Sequence, residues 1–208
     1  MVARRGVFCF EGQWNELHER DSVLPTLELL ERLESIRYVH RDVVTREELS
    51  YYLQRWTQAK YDNYKVGVFA MHGDRRTLHL SDRHWVDLDD LASELANLCT
   101  GRRFYFASCS VLNASDDVLR SFLEETGAEL VCGYTVTVTG WSPLRSRASC
   151  STVSPTAGST RSKSRMRTAR WEPLAAHLGF KVVYRDRDPW IPRAERAAAP
   201  RQRSGARV

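Results

Sequence analysis

The stretches Val66–Gly73 (VGVFAMHG) and Phe104–Cys109 (FYFASC) decide the fold prediction. Each is a short apolar and aromatic run that ends directly in a reactive side chain, His72 in the first and Cys109 in the second. Runs that are apolar at successive positions are typical of strands buried on both faces, as in parallel sheets covered by helices. We therefore expect two strands of a parallel sheet that end at the same edge.

Strand-like and helix-like segments alternate around these two runs up to residue 140. The predicted strands are Gly6–Phe10, Arg37–His40, Lys65–Met71, Arg103–Ala107 and Leu130–Thr135, and the predicted helices are Pro25–Ser35, Thr45–Trp56, Leu88–Leu98 and Asp116–Thr126. Thr45 and Glu48 match a capping box, in which each side chain bonds a main-chain amide of the first turn. The alternation predicts an α/β fold with a mostly parallel sheet covered by helices.

The pattern changes after residue 140. Residues 141–170 contain eight Ser, four Thr and seven basic residues, with almost no apolar periodicity. A parallel pairing of the strand at Leu130 with a last strand at Lys181–Tyr184 would need a crossover helix in this segment, which is poor helix material. Two explanations stay open: a natural flexible linker, and a segment translated out of frame from GC-rich coding sequence.

These features divide the chain into four parts. The core is expected at 1–140, the anomalous Ser/Arg-rich segment at 141–170, a final helix and strand at 171–188, and a disordered basic tail at 189–208. Within the third part, Trp171–Phe180 resembles a short helix with a glycine stop.

The net charge of +5 arises from the two atypical segments. Residues 141–170 carry seven basic side chains and no acidic one, and residues 189–208 carry five arginines against one glutamate. The rest of the chain is therefore acidic, which argues against nucleic acid as the partner of the core. No apolar run approaches the ~18 residues of a membrane span, and no secretory signal is recognisable. We expect a soluble, cytoplasmic protein that does not bind membranes.

Metal, disulfide and nucleotide chemistry have no support in the sequence. The five cysteines, at positions 9, 99, 109, 132 and 150, show neither CxxC spacing nor a paired framework, so we expect reduced thiols. His79 and His84 flank a predicted hairpin tip without the further ligands that zinc needs. The P-loop and G-x-G-x-x-G motifs are also missing. We expect neither a metal nor another cofactor.

His72 and Cys109 follow strands that are consecutive in the predicted sheet. Ligand sites of open parallel sheets lie beyond the carboxyl ends of the strands, and neighbouring strand ends are about 5 Å apart. An imidazole in that position can take the thiol proton and turn Cys109 into a nucleophile. Gly73 allows close approach of the main chain, and its amide, with that of Cys109, could stabilise an oxyanion. The pattern predicts a cysteine acyl-transfer site.

The strand-His-Gly and strand-Ala-Ser-Cys motifs resemble those of the caspase-type (clan CD) cysteine peptidases, the superfamily of metacaspases, legumains, separases and bacterial CHAT-domain proteases. The stretches FCFEGQW, YVHRD, AMHGD, FASCSVLN and VCGY are similar to an uncharacterised bacterial family of small stand-alone domains in that superfamily. The resemblance covers residues 6–140 and 171–184. It implies a caspase-like three-layer α/β sandwich and an endopeptidase, with His72 as general base or leaving-group acid, Cys109 as nucleophile, and the amides of Gly73 and Cys109 as oxyanion donors.

The chain departs from the family pattern around the nucleophile. Caspases place Gln-Ala before the cysteine, whereas Ala107 and Ser108 precede Cys109 here. Many metacaspases bind a basic P1 side chain through an acidic residue two before the cysteine; Ala107 cannot do this, and Glu11 at the end of the first strand is the nearest substitute. The candidate substrate-binding residues at the strand ends are Glu11, Gly133 and Tyr134.

Three hypotheses for function remain. The first is a caspase-like endopeptidase with a polypeptide substrate. The second is an inactive caspase-like domain that binds a protein partner, and the third is a flavodoxin-like module for a small ligand, in which the His/Cys pair is a coincidence. Cys109 alone would more often be a packing residue. His40 is expected to form a surface ion pair with Arg41 and Asp42, away from Cys109.

Overall fold

The computed structural model of the protein describes residues 4–16, 18, 21–136, 175–177 and 179–190. The anomalous segment 141–170 and the tail from residue 191 onward lie outside the described residues. The linker and out-of-frame hypotheses for the first, and the disorder expected of the second, therefore stay predictions.

Strands and helices alternate through the described core, as the apolar pattern predicts. The strands are β1 (Arg5–Glu11), β2 (Ile36–Asp42), β3 (Val66–Ala70), β4 (His72–Asp74), β5 (Thr77–His79), β6 (Trp85–Asp87), β7 (Arg103–Phe106), β8 (Leu130–Tyr134) and β9 (Phe180–Tyr184). The helices are α1 (Leu24–Arg32), α2 (Arg46–Trp56), α3 (Leu88–Glu94) and α4 (Asp116–Thr126), with a 3-10 turn at Ala59–Tyr61. Within the described residues, no helix has both the length and the apolar character that crossing a membrane would take.

Among the described residues, six strands form the main sheet, in the order β2-β1-β3-β7-β8-β9. The first five are parallel to one another. The sixth, β9, runs antiparallel to β8, so the parallel pairing considered from the sequence is wrong. An antiparallel neighbour does not require a helical crossover. The crossover requirement of a parallel pair therefore does not apply to these two strands.

The main sheet is covered on both faces, which makes the protein a three-layer α/β sandwich. Alternate positions along the strands, such as Phe69 and Phe106, pack against α2, α3 and α4 on one face. The intervening positions, such as Val68 and Tyr105, pack against α1 on the other face. Because both faces are buried, the strands are apolar at successive positions, and this was the pattern that predicted the sheet.

Helix starts follow the capping signals in the sequence. The Thr45 hydroxyl accepts from the amide of Glu48 at 3.2 Å, and the Glu48 carboxylate accepts from the amide of Thr45 at 3.1 Å. Ser115 caps α4 by accepting from the amide of Val118 at 3.4 Å. The predicted capping box of Thr45 and Glu48 is confirmed. Helix α3 is shorter than predicted, since it ends at Glu94.

A second, three-stranded antiparallel sheet follows the carboxyl end of β3 in the order β4-β5-β6. Its pairing places His72 directly opposite His79. Strands β5 and β6 form the hairpin that was predicted around His79 and His84. Leu78 on β5 is fully buried in the main core, so this small sheet is anchored beside the end of β3.

The described residues after the gap complete the main sheet. Residues 175–177 are helical, and β9 follows directly after Gly179, whose φ of 58° lies in the left-handed region. Trp190, which the sequence division placed in the tail, exchanges two main-chain hydrogen bonds with Val182 of β9. The ordered fold therefore extends at least to residue 190.

Trp56, at the end of α2, fixes the helix layer to the sheet. Its side chain is fully buried, and its indole N–H donates to the carbonyl of Tyr64 at 2.7 Å. Its ring makes edge contacts with Phe10 and Phe104. A Cβ on Gly67 of β3 would lie only 2.6 Å from the outer ring of Trp56, so this close approach requires glycine.

Replacing Gly67 with alanine is expected to destabilise the protein by about 1–3 kcal/mol, because the added methyl group overpacks against Trp56. Trp56→Phe should also destabilise, since it removes the indole hydrogen bond and leaves a void. The atoms that the new methyl group meets belong to the outer indole ring, which phenylalanine lacks. The double variant should therefore lose less free energy of unfolding than the sum of the single losses, as measured by urea denaturation. If the losses in free energy of unfolding of the two single variants are strictly additive in the double variant, the contact between Gly67 and Trp56 is contradicted.

Candidate active site

The site lies where the strand order reverses. β2 lies on one side of β1, whereas β3, β7 and β8 lie on the other side. The loops that follow β1 and β3 therefore leave the sheet in opposite directions and open a crevice at its carboxyl edge. His72 follows β3, and Glu11 and Trp14 lie at and just beyond the end of β1. The fold thus brings these residues together at the carboxyl edge of the sheet.

The pairing of β3 with β7 leads toward the two predicted catalytic residues. Its last pair is Phe69 with Phe106, each three positions before His72 or Cys109, and His72 itself lies in the small β4-β5-β6 sheet. The ladder extends past the strands, because the amide of Ala107 donates to the carbonyl of Phe69 at 2.9 Å. His72 is exposed, and Cys109 is half-buried.

The main chain of Gly73 packs directly on the segment that carries Cys109. A Cβ on Gly73 would lie 2.4 Å from Val111 Cγ2, 2.9 Å from the Cys109 carbonyl oxygen and 2.9 Å from Ser108 Cβ. Any side chain at this position would push the two segments apart. Glycine is therefore required to bring the histidine segment against the cysteine segment.

The cysteine segment is held in a strained turn. Ser110 has a φ of 51°, a left-handed conformation that costs free energy for a residue other than glycine. Its amide donates to the carbonyl of Val136 at 3.3 Å, and the amide of Leu112 donates to the carbonyl of Tyr134 at 3.2 Å. Ser108 is fully buried and donates its hydroxyl to the carbonyl of Phe69 at 3.2 Å. These bonds fix the main chain on both sides of Cys109.

Trp14 orients the imidazole of His72. The Nε2 of His72 is hydrogen-bonded to the main-chain carbonyl of Trp14. A carbonyl only accepts, so Nε2 carries the proton, and Nδ1 of the neutral ring is left with its lone pair. The indole also meets the imidazole edge to face, with ring centroids 5.4 Å apart. This arrangement makes Nδ1 the nitrogen of His72 that can accept a proton.

Glu11 fixes the side chain of Trp14 by a hydrogen bond. Its carboxylate is 2% exposed and accepts the indole N–H of Trp14 at 2.6 Å. It also accepts from the Ser22 hydroxyl, the Val23 amide and the Nε2 of His40, at 2.7, 2.7 and 2.5 Å. Burial opposes ionisation, but the hydrogen bonds from His40, Trp14, Ser22 and Val23 together lower the pKa of Glu11 below its ordinary value of 4.5.

His40 lies on β2, beyond β1 and away from Cys109, as predicted. Its main partner is Glu11, and Asp42 lies 4.0 Å away. Glu11, His40 and Asp42 form a group among the described residues whose ligand atoms are close enough to hold a metal ion. However, Glu11 already accepts four hydrogen bonds, and Asp42 is 81% exposed. The donor set fits a hydrogen-bonded ion pair better than it fits a metal.

The other predicted site residues lie deeper in the fold. Gly133 and Tyr134 are buried on β8, and a Cβ on Gly133 would lie 2.7 Å from the carbonyl of Phe106. The Tyr134 hydroxyl is 3.2 Å from that of Tyr105. Glu11 lies on the His72 side of the crevice, where its carboxylate is engaged by protein donors. The sequence interpretation gave Trp14 no role, although it lies in the quoted stretch FCFEGQW, because a main-chain carbonyl has no residue signature.

The described cysteines differ sharply in exposure. Cys9, Cys99 and Cys132 are fully buried, as expected of core positions. Burial raises the pKa of the Cys99 thiol to about 12, despite the nearby guanidinium of Arg102. Cys109 is half-buried.

We expect Cys109 to be alkylated by iodoacetamide in the folded protein at pH 7, whereas Cys9, Cys99 and Cys132 react only after denaturation. Burial blocks access to these three thiols, and the raised pKa of Cys99 also removes its thiolate. Peptide mass mapping measures the rate at each position. The experiment uses a Cys150→Ser background, because residue 150 lies outside the described residues. A Cys99 rate equal to that of Cys109 would contradict the structure.

Glu11→Gln is expected to destabilise the protein at pH 7 by about 1–3 kcal/mol, because donors that now face a carboxylate would meet an amide group. The folded state lowers the pKa of Glu11, so the ionised carboxylate adds stability above pH 4.5 that is lost as the pH falls below that value. The difference in free energy of unfolding between wild type and variant should therefore narrow towards pH 3. Glu124→Gln, at an exposed position on α4, is the matched control and should show no such trend.

Two solved structures share this fold. Caspase-1 from Spodoptera frugiperda is 13% identical, with a TM-score of 0.52 over 87% of this chain and 86% of that chain. A secreted C11 cysteine protease from Bacteroides thetaiotaomicron, in complex with an irreversible peptide inhibitor, is 11% identical, with a TM-score of 0.54 over 88% of this chain and 66% of that chain. At such low identity the likeness shows the fold alone, and it confirms the caspase-like α/β sandwich.

Sequence comparison defines the family. No curated protein matches the chain. The sequence profile of the Family of unknown function (DUF6642) matches residues 4–147, which is more than half of the 208 residues. The protein therefore belongs to the family of unknown function DUF6642.

Proposed function

We propose that the protein is a cysteine endopeptidase of the caspase-like type, with His72 and Cys109 as its catalytic dyad. The observation that carries the proposal is the packing of Gly73 on the Ser108–Cys109 main chain. The orientation of His72 by the Trp14 carbonyl supports it. A neighbour in fold is a cysteine protease in complex with a peptide inhibitor, so a polypeptide is the substrate class that we assign.

In the first step His72 activates the thiol. Nδ1 of His72 takes the proton from Cys109, and the thiolate sulfur attacks the carbonyl carbon of the scissile peptide bond. The carbonyl oxygen becomes an oxyanion, for which the amides of Gly73 and Cys109 are the candidate donors. The protonated His72 then gives its proton to the leaving amine nitrogen, the C–N bond breaks, and an acyl thioester on Cys109 remains.

In the second step water completes the hydrolysis. His72 takes a proton from a water molecule, whose oxygen attacks the thioester carbonyl carbon. The carbon–sulfur bond breaks, the carboxylic acid product leaves, and the proton returns to the sulfur of Cys109. The hydrogen bond from Nε2 to Trp14 keeps Nδ1 as the acceptor through both steps, which is what a neutral general base requires.

The substrate would occupy the crevice above the cysteine segment. Gly133 and Tyr134 lie below that segment, and the Tyr134 carbonyl anchors the amide of Leu112. In the proposal they support the floor of the crevice.

Cys109→Ala and His72→Ala are each expected to lower the rate of peptide hydrolysis at least about 100-fold, because each removes one half of the dyad. A positional library of fluorogenic tetrapeptides, which varies the P1 residue across basic, acidic and neutral side chains, measures the rate. His84→Ala is the matched control. His84 contributes its main-chain carbonyl to the β5–β6 turn, so its substitution should leave the rate within about twofold.

The peptide library can lack the right substrate, so an absence of hydrolysis alone does not test the dyad. The Cys109 alkylation rate is therefore measured on the same samples. If that rate is equal in wild type and His72→Ala, the dyad does not exist and the proposal is wrong. A stable fold with such an ordinary thiol would favour the non-catalytic, protein-binding alternative.

A further inference from the structure

The Glu11 carboxylate has no acceptor position to spare. One oxygen, Oε1, accepts the indole N–H of Trp14 at 2.6 Å and the amide of Val23 at 2.7 Å. The other, Oε2, accepts the Ser22 hydroxyl at 2.7 Å and the Nε2 of His40 at 2.5 Å. The side chain is almost fully buried. A substrate cation could bind here only by breaking one of these bonds, so direct contact with substrate is a poor use of this carboxylate.

Hydrogen bonds fix the position of the chain just beyond the end of β1. Main-chain bonds hold it as far as Gln13, since the amide of Gly12 donates to Ala70 and that of Gln13 donates to Leu80. The next residue is Trp14, whose carbonyl binds His72. The indole bond to Glu11 fixes this residue from the side-chain end. Glu11 therefore lies two hydrogen bonds away from the imidazole of His72, with Trp14 between them.

The buried charge of Glu11 also indicates a role beyond filling space in the core. Burying a carboxylate is costly unless its lone pairs are satisfied, and an apolar side chain would fill the same volume without that cost. The fold instead supplies donors from β2, from the start of α1 and from Trp14. A charged acceptor orients an N–H donor more strongly than a neutral one does.

We propose that Glu11, acting through Trp14, is a positioning residue that holds His72 with its proton on Nε2, and that it is not the contact for a basic substrate side chain. This rests on the proposed function only in that His72 serves Cys109. The orientation of the imidazole is a property of the folded protein and is measurable without any substrate.

The first test reads the tautomer of His72 directly. Protein labelled with ¹⁵N-histidine is examined by long-range ¹H–¹⁵N correlation at pH 8, with His72 assigned from His72→Ala. We expect the Nε2–H tautomer in wild type, and a mixture of tautomers in Trp14→Phe, which keeps an aromatic ring and the carbonyl but removes the indole N–H. Glu11→Gln should show the same mixture.

Trp56→Phe is the matched control. It removes another buried indole N–H, donated to Tyr64 at 2.7 Å on the opposite face of the sheet and at the start of β3, whereas His72 follows the end of that strand. Its stability should fall while the His72 tautomer stays as in wild type. A wild-type tautomer in Trp14→Phe would overturn the proposal, and so would an equal change in Trp56→Phe. Should Glu11→Gln fail to fold, Trp14→Phe carries the test.

The second test measures whether Trp14 affects the reactivity of Cys109 through His72. Trp14→Phe should lower the Cys109 alkylation rate at pH 7 about tenfold, the scale of one lost hydrogen bond to a charged group. In a His72→Ala background the same substitution should change that rate no further. Equal losses in both backgrounds would mean a purely structural role and would overturn the proposal.

The outcomes separate this inference from the proposed function. If His72→Ala leaves the Cys109 rate unchanged, the dyad fails, yet the tautomer still decides whether Glu11 positions His72. If Glu11→Gln raises the KM for peptides with basic P1 residues alone and leaves the tautomer unchanged, Glu11 is a substrate contact and the positioning role is wrong.

Discussion

The parallel register between β3 and β7 is the constraint on which the candidate site depends. It pairs Phe69 with Phe106, buries both rings on the same face, and ends three positions before His72 and Cys109. A slip of one residue would turn every side chain of a strand to the opposite face. The core therefore protects the register, and the packing of these strands fixes where the segments that carry His72 and Cys109 leave the sheet.

Much of this arrangement could be predicted from sequence because its signals are local. An apolar run predicts a buried strand, and the residue after it must lie at the sheet edge, which is why His72 and Cys109 were predicted as site residues. The direction of β9 could not be predicted in this way, since a five-residue apolar strand reads the same in either direction and its pairing depends on distant residues. The early end of α3 likewise has no local stop signal.

The hydrogen bonds around Glu11 lay beyond sequence reasoning for a different reason. Its donors come from Trp14, Ser22, Val23 and His40, which lie up to 29 residues from Glu11 along the chain and converge only when β1, β2 and the start of α1 are packed. The sequence indicated an acidic residue at a strand end, which suggested a substrate contact. What it could not indicate is that the fold already engages both carboxylate oxygens.

This convergence couples the stability of the fold to the geometry of the crevice. The carboxylate that ties the ends of β1 and β2 to the start of α1 is the same one that fixes Trp14, whose carbonyl orients His72. On the other side of the crevice, the strained Ser110 turn is held by main-chain bonds to the chain at and beyond the end of β8. Gly73 joins the two halves by close contact rather than by hydrogen bonding. The His72 and Cys109 segments are therefore each held by their own set of interactions, and their close approach depends on Gly73, where a Cβ would clash with the cysteine segment.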